Sequence, residues 1–597
     1  MEPKVSIQEG WKVLEDLTIN ADQFQQKVLE EILKQNAGTE YLKRFLDGQA
    51  DKELFKKKVP ITTYDGIKPY IERIVVNGEP ADILLAEPVT AITLSSGTSR
   101  GQAKMMPLTN KQLDQLTYCR SLAMSAANKF VDGLLEEGKQ MQLLFVRPDI
   151  YVPSGLPARP ILTSYHKSKN FEKYESSLYT SPMSTILCLD SKQSLYCQFL
   201  CGLLQRDEVV NIGAVFASVL FRAIRFLEDY WRELCSNIRT GRLSDWITDT
   251  GCKNALSLML TGPNPEQADL IEAACNSKSW EGIIKKLWPK AKYIDVIATG
   301  SMAQYLPILE FYCGGIPVVS MPYASSESFL GINLKPFSKP CDVSYTLVPD
   351  VAYFEFLPVK DYNEEETKEV QSDVKSDNDL TEKQTKKEEI EPVELVNVAL
   401  GQCYELVITT CTGLYRYKVG DVLMVTGFHN NAPQFQFVRR QDVVLSVDVE
   451  KTSEDELLEA MTKAKLLLEP FGLVLTDYSS YADVSTVPGH YVLFWELNMD
   501  ASSDLPEFNP KIIEQCCSTV EESLNYLYKN CRKGNTVGPL EIRMVEQGTF
   551  DALMDFYISK GSSVSQYKTP RCIKLEEAFK VLDSRVVKRY FSQKVPA

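Results

Sequence analysis

The sequence predicts an α/β fold with a separate carboxyl-terminal α+β unit, and three stretches carry the prediction. Residues 280–320 alternate: 280–287 helical, 293–298 strand, 304–312 helical, 315–320 strand. Strand–helix–strand alternation is the pattern of a parallel sheet with covering helices. The runs 393–398, 403–409, 413–417 and 422–426 are dense in β-branched and aromatic residues and predict a small barrel or an antiparallel sheet. Past Arg440 the texture changes to strand 443–449, helix 454–468, strand 491–497, helix 512–528, strand 539–544, helix 550–559 and helix 575–590. A boundary follows, with a first domain over 1–438, a hinge at 439–442 and a second domain over 443–597.

Earlier elements follow in order. Leu14, Leu17, Phe24, Val28, Leu29, Ile32 and Leu33 recur at helical spacing, so 8–46 reads as helices. Short helices around Pro60 fill 52–75. The apolar run 83–92 reads as strand, 110–131 as helix and 142–146 as a buried strand. Residues 151–169, rich in Pro, Ser and Gly, read as a long loop. Residues 191–237 read as helical, broken near Asp207 and Gly213. The segment 360–392 is almost wholly polar and charged. It cannot bury enough surface to order itself and reads as a flexible acidic insertion.

The charge of the 597-residue chain, −15, gives no general attraction for nucleic acid or anionic lipid, and points to small metabolites or proteins as partners. No run of about 18 apolar residues and no signal-peptide order at the amino terminus appear, so a cytoplasmic protein without a membrane association is expected. The 15 cysteines are scattered without a C-x-x-C pair, and only three histidines occur, so the cysteines read as reduced, mostly buried thiols rather than a zinc site. No histidine stands in a G-x-S-x-G setting, which argues against a Ser–His–Asp hydrolase.

Three motifs carry chemistry. The stretch 93–104, TLSSGTSRGQAK, follows the predicted strand. Glycines, hydroxyls and a lysine on a tight loop form either a phosphate cradle or an ordinary polar turn. It is not a Walker loop, because Lys104 is followed by Met105. The second, Tyr323-Ala-Ser-Ser-Glu327, follows a parallel-type strand, where open α/β sheets bind ligands. Its aromatic ring could stack on a purine, its hydroxyls bond a phosphate and its carboxylate hold Mg2+, or it could be a polar loop capping a strand. The third, Tyr415-Arg-Tyr-Lys-Val-Gly-Asp421, ends in a carboxylate suited to two ribose hydroxyls, or is a plain hairpin turn.

The order of these motifs, followed by a hinge and the carboxyl-terminal SQYKTPR at 565–571, resembles the adenylate-forming superfamily. The wording is more specific. SSGTS-x-G-x-x-K, Y-x-SSE, Y-R-Y-x-VGD and SQYKTPR resemble the plant auxin- and jasmonate-responsive acyl-acid amido synthetases, the Gretchen Hagen family, as do LCGLLQRDEV (200–209), ELCSNIRTGRLSDW (233–246), GFHNNAPQFQFVRR (427–440) and GSSVSQYKTPR (561–571). The texture is nearest to the benzoate-using branch.

The resemblance implies a firefly luciferase-like adenylate-forming fold with a mobile carboxyl-terminal domain; a monomer is expected. It implies that a small carboxylic acid and MgATP give an acyl-adenylate and pyrophosphate, and that an amino acid amine then displaces AMP. ATP would be held by Ser95, Ser96, Gly97, Thr98 and Ser99, with Lys104 beside them, Tyr323 at adenine, Ser325 and Ser326 near the α-phosphate, Asp421 at ribose and Glu327 at Mg2+. Lys568 would swing in to stabilise charge as pyrophosphate leaves. The helix after the first loop would line the acid pocket with Arg120, Ala123 and Met124; the benzoate users carry an arginine at the position of Ala123. The competing readings are an acyl-CoA synthetase and a non-catalytic binder of a hormone-like acid or nucleotide. The intact Lys568 and all three nucleotide motifs weigh against the binder.

Overall fold

The computed structural model describes residues 5–95, 104–131, 138–359, 391–440, 445, 447, 450, 452–486, 488–499, 510–564 and 567–596. The chain divides into two compact units, the first formed by 1–95 with 105–438 and the second chiefly by 439–597.

Two sheets of the first unit frame the motifs. A four-stranded parallel sheet runs Lys139–Leu143, Val209–Phe216, Tyr293–Ile297, Val318–Val319. The strand Val209–Phe216 lies where the sequence suggests a break between helices. Its run V-V-N-I-G-A-V-F is covered on both faces, so it lacks the alternation that marks a half-exposed strand. Gly213 is required there: a Cβ would come within 2.3 Å of the Asp295 carbonyl and 2.6 Å of the Gln142 side chain.

The second sheet has eight strands in the order Val393–Glu394, Tyr353–Pro358, Cys403–Thr409, Tyr417–His429, Ala432–Arg440, Tyr345–Leu347, Phe329–Ile332, Pro322–Ala324, and the neighbours outside the central Tyr417–His429/Ala432–Arg440 pair run antiparallel. The runs expected as 413–417 and 422–426 become one strand starting at Tyr417. The expected strand 393–398 shortens to two residues before a 3-10 turn. Tyr353–Pro358 and Val393–Glu394 are antiparallel neighbours, so the acidic segment 360–392 joins adjacent strands; its residues 360–390 lie outside the described residues. Tyr323, Tyr345, Tyr415 and Tyr417 are all buried in the largest apolar core.

Three other expectations change. The strand expected over 83–92 is confined to Ala91–Leu94, because Pro88 interrupts the run and Ala81–Ile83 forms a 3-10 turn. The expected long loop 151–169 contains the strand Pro157–Arg159 and the helix Ile161–His166. A strand, Met105–Leu108, pairs antiparallel with Ala91–Leu94 and turns the first motif into a hairpin connection.

The second unit is a four-stranded sheet, Leu473–Asp483, His490–Met499, Glu541–Val545, Val586–Phe591, with helices on both faces. Tyr491, Leu493 and Trp495 face the helices Glu454–Leu466 and Lys511–Ser523, while Val492 and Phe494 face Thr549–Ser559 and Glu576–Asp583. That two-sided burial makes 491–495 uniformly apolar. The terminal helix expected over 575–590 stops at Asp583, and Val586–Phe591 joins the sheet against Glu541–Val545. The expected strand 443–449 lies largely outside the described residues; Leu445 makes an isolated bridge to Thr452. All 15 cysteines are free thiols, and most are buried. Among the described residues no helix is long and apolar enough to cross a membrane.

Candidate functional site

The strand Pro322–Ala324 follows the parallel strand Val318–Val319 and turns through small polar residues, with the Ser325 amide donating to the Ser328 carbonyl at 2.9 Å. Tyr323 is buried on this hairpin, 5.6 Å from the ring of Tyr345, and its phenol donates to Asp421 Oδ2 at 2.8 Å. Tyr345 is fixed in turn by Ser320 (3.0 Å) and Thr299 (3.2 Å), and burial raises its pKa above the ordinary phenol value.

Asp421 reaches Tyr323 through an irregularity. The register between Cys403–Thr409 and Tyr417–His429 shifts between Glu405 and Val407, and Gly420 sits there with φ +86°. A left-handed residue in a bulge re-aims the side chain that follows it, and glycine takes that conformation without strain.

The Glu327 carboxylate is also buried. Tyr417 donates to its Oε1 at 3.3 Å, and its backbone is held by Ser325 Oγ (3.3 Å) and by Gln112 Nε2 on the carbonyl (3.0 Å). One strand therefore supplies both the acid that holds Tyr323, Asp421, and the phenol that holds Glu327, Tyr417.

The rest of the third motif is structural. Tyr415 stacks on Tyr41 and bonds the Leu84 carbonyl. Arg416, at φ +46°, grips Glu355 with two hydrogen bonds of 3.0 and 2.8 Å and caps the Lys56 and Val59 carbonyls. Sequence reasoning missed Tyr417; a period of two counted back from Asp421 would have found it.

Ser95 and Lys104 flank the first motif at the ends of the paired strands, where Leu94 lies opposite Met105. Tyr64 fixes that closure, accepting from the Met105 amide at 2.8 Å. Ser96, Gly97, Thr98 and Ser99 lie outside the described residues, as do 441–442 of the expected hinge. Ser326 is half-buried in the turn beside Glu327.

Arg120, Ala123 and Met124 are half-buried on the helix Asn110–Phe130, which Thr109 caps. The Arg120 guanidinium is engaged: Nε bonds both oxygens of Glu175 (3.0 and 3.2 Å), and its other arm donates to Tyr179 at 2.9 Å. Tyr165 and Tyr179 also donate to Glu175. Burial works against the charge on Arg120, but the Glu175 carboxylate more than offsets it and holds the guanidinium well above its ordinary pKa. Across the row from Gly213, burial pushes the Asp295 carboxyl up to about 6, while the Arg120 charge pulls the other way.

In the second unit, the segment around Lys568 runs beside the strand Leu473–Asp483. Thr569 donates to Asp477 at 2.7 Å, Arg571 pairs with Asp477 at 2.8 Å and lies over the Tyr478 ring, the Ser480 amide donates to the Arg571 carbonyl and the Ile573 amide donates to the Ser480 carbonyl. Tyr567 and Thr569 are buried, and Lys568 between them is exposed. Ser565 and Gln566 lie outside the described residues.

Family models match the chain in three parts: the GH3 family N-terminal domain over 10–318, its central domain over 345–440 and its C-terminal domain over 455–577. Indole-3-acetic acid-amido synthetase GH3.17 of Arabidopsis thaliana is 57% identical, covering 98% of this chain and 97% of its own length. The 4-substituted benzoates-glutamate ligase GH3.12 of the same plant is 51% identical over 99% of this chain and 100% of its own. The solved structure of GH3.15 acyl acid amido synthetase superposes with a TM-score of 0.88 at 50% identity, covering 98% of each chain.

Proposed function

The chain belongs to the GH3 family and is an ATP-dependent acyl-acid amido synthetase, and from that premise we propose that the acid it activates is an indole-3-acetic-type aryl acetate ahead of a 4-substituted benzoate. The observation that carries the preference is the whole-chain identity, 57% to GH3.17 against 51% to GH3.12. Short phrases resemble the benzoate-using branch, but Ala123 stands where that branch carries an arginine. Arg120, one turn away, has its guanidinium committed to Glu175 and Tyr179. A pocket wall with its cation already neutralised favours a ring over a second charge-seeking substituent.

In this reading the acid carboxylate attacks the α-phosphorus of ATP, and pyrophosphate leaves. An amino acid amine then attacks the acyl carbon, AMP leaves, and one proton is released. Ser95, Ser96, Gly97, Thr98, Ser99 and Lys104 hold phosphates. Tyr323 flanks adenine, and Asp421 takes the ribose hydroxyls; their 2.8 Å contact supports adjacent base and sugar positions. Ser325 and Ser326 bond the α-phosphate region, and Lys568 stabilises charge on the leaving group. Glu327 suits Mg2+: a buried carboxylate is a hard oxygen ligand, and Tyr417 orients it. The ion supplies charge neutralisation at the phosphates when bound.

The test is turnover of purified protein with MgATP across a grid of acids and amino acids, reading amide by mass spectrometry and AMP release. The expected result is a kcat/KM for indole-3-acetic acid about tenfold or more above 4-substituted benzoates. A benzoate preference reverses the acid assignment. AMP without amide, or thioester formed only with CoA, overturns the acceptor chemistry.

A further inference from the structure

Away from the nucleotide residues, the fold brings together three metal-binding side chains that are distant in sequence. Cys188 lies in the link between the helices Met183–Ile186 and Ser191–Leu204, and Asp249 and Cys252 lie at the start of the helix Thr250–Met259. One donor atom from each lies within 4.8 Å of the other two. Both thiols are buried. Cys197, on the helix Ser191–Leu204, interacts with the Cys252 thiol.

The cluster is held in place by a partner of its own. The Gln193 side chain accepts from the Thr248 amide (2.7 Å) and the Asp249 amide (2.9 Å), and donates to Asp190 Oδ2 (2.9 Å) and Thr248 (3.2 Å). Asp190 caps the helix that follows Cys188, and the Cys188 thiol points to the Asp190 carbonyl at 3.4 Å. Asp249 Oδ1 caps the Cys252 amide at 2.8 Å, which fixes the carboxylate one turn from the thiol. One buried glutamine thus ties both arms of the cluster to the same helix start. Orientation of ligands by a surrounding hydrogen-bond shell is what separates a metal site from a chance grouping.

We propose that Cys188, Cys252 and Asp249 form a structural site for a borderline-soft divalent ion of the zinc type, with Cys197 as the nearest further sulfur. Two thiolates and a carboxylate suit Zn2+, and the soft sulfurs disfavour Mg2+ and Ca2+. On binding, each thiol gives up its proton and forms a sulfur–metal bond, so two protons leave per ion and no oxidant is involved. The ion would tie the link before Ser191–Leu204 to the helix Thr250–Met259, and none of its ligands is a residue named for ATP. The site is independent of the acid assignment.

The full-length protein, reduced and stripped with a chelator, is titrated anaerobically with Cd2+ as the zinc probe, reading the thiolate-to-metal charge-transfer band in the ultraviolet. The expected band saturates at one ion per chain, is displaced by Zn2+, and strengthens as pH rises. Cys188→Ser and Asp249→Asn weaken Cd2+ affinity by about tenfold or more, whereas the exposed-thiol variant Cys341→Ser keeps the band. Zn2+ raises the Tm of the wild type and not of Cys188→Ser, which keeps the test readable should Cys252→Ser fail to fold. Absence of a saturable band, a band that survives Cys188→Ser, or one that is lost with Cys341→Ser overturns the site.

Discussion

Tyr323 and Asp421 are joined by a 2.8 Å hydrogen bond across a separation of 98 residues, one on a hairpin after the parallel sheet and the other just past a left-handed glycine in the long strand. The phenol donates to a buried carboxylate, so it both orients the acid and stabilises its charge.

Removing that hydroxyl should be read in the nucleotide. A hydrogen bond to a charged group contributes about 1.5–3 kcal/mol, so Tyr323→Phe is expected to raise the KM for ATP roughly ten- to a hundredfold. Gly420→Ala acts in the same direction by forcing a Cβ into φ +86° and moving Asp421. Steady-state kinetics with ATP varied at saturating acid decides it. A KM for ATP unchanged in both variants would detach this pair from nucleotide binding.

Arg120 and Glu175 make the second prediction. Arg120→Ala leaves a nearly buried carboxylate with only Tyr165 and Tyr179 for company. Breaking a buried pair costs about 3–5 kcal/mol; with the Arg120 side chain 32% exposed, a loss of roughly 1–3 kcal/mol is expected. Glu175→Gln should cost a similar amount, and the double variant less than the sum, since the two share one network. Denaturant unfolding measures the cycle. The acid KM should rise only a few-fold; a hundredfold rise at unchanged stability would make Arg120 a direct ligand of the acid.

Sequence periodicity found elements whose burial is one-sided and missed those whose burial is not. The amino-terminal helices carry a clear apolar stripe and form where expected. Val209–Phe216 is covered on both faces, so neither period shows, and helices on each side absorbed it. Val586–Phe591 shows itself as a strand only through pairing with Glu541–Val545, a partner remote in sequence. The site divides the same way. Tyr323, Glu327 and Asp421 stand in short motifs whose chemistry is local. Glu175, the partner of Arg120, lies 55 residues away from it, and the grouping of Cys188 with Asp249 and Cys252 depends on helix packing that no spacing rule encodes.

A third prediction concerns pH. Asp350 accepts from Tyr118 at 2.9 Å, its Oδ1 has no hydrogen-bond partner among the described residues, and burial pushes its carboxyl up to about 6 from an ordinary 3.8. Between those values the native chain holds the proton and the unfolded chain has lost it. The unfolded state then binds fewer protons, so this group's contribution to stability falls as pH rises through the window and is flat above it. Asp350→Asn removes the fall. The variant should match the wild type near pH 4 and exceed it at neutral pH by on the order of 2 kcal/mol. Urea unfolding of both proteins across that range checks the sign; parallel curves would mean that Asp350 is ionised at no cost in the native state.

The last prediction is for Lys568. Thr569 and Arg571 are both tied to Asp477, and Tyr567 is buried, so the exposed lysine sits on a stretch whose backbone is fixed on either side. A cation presented in this way suits charge that develops in a transition state, because it needs little reorganisation when that charge appears. Lys568→Ala is therefore expected to slow acid-dependent ATP–pyrophosphate exchange by about a hundred- to a thousandfold, while ATP affinity changes only a few-fold. Thr569→Val, which keeps the lysine but loosens its support, should fall between the two. Single-turnover adenylation and equilibrium ATP binding separate the effects. If rate and affinity fall together in Lys568→Ala, the lysine binds ground-state ATP and the transition-state role is wrong.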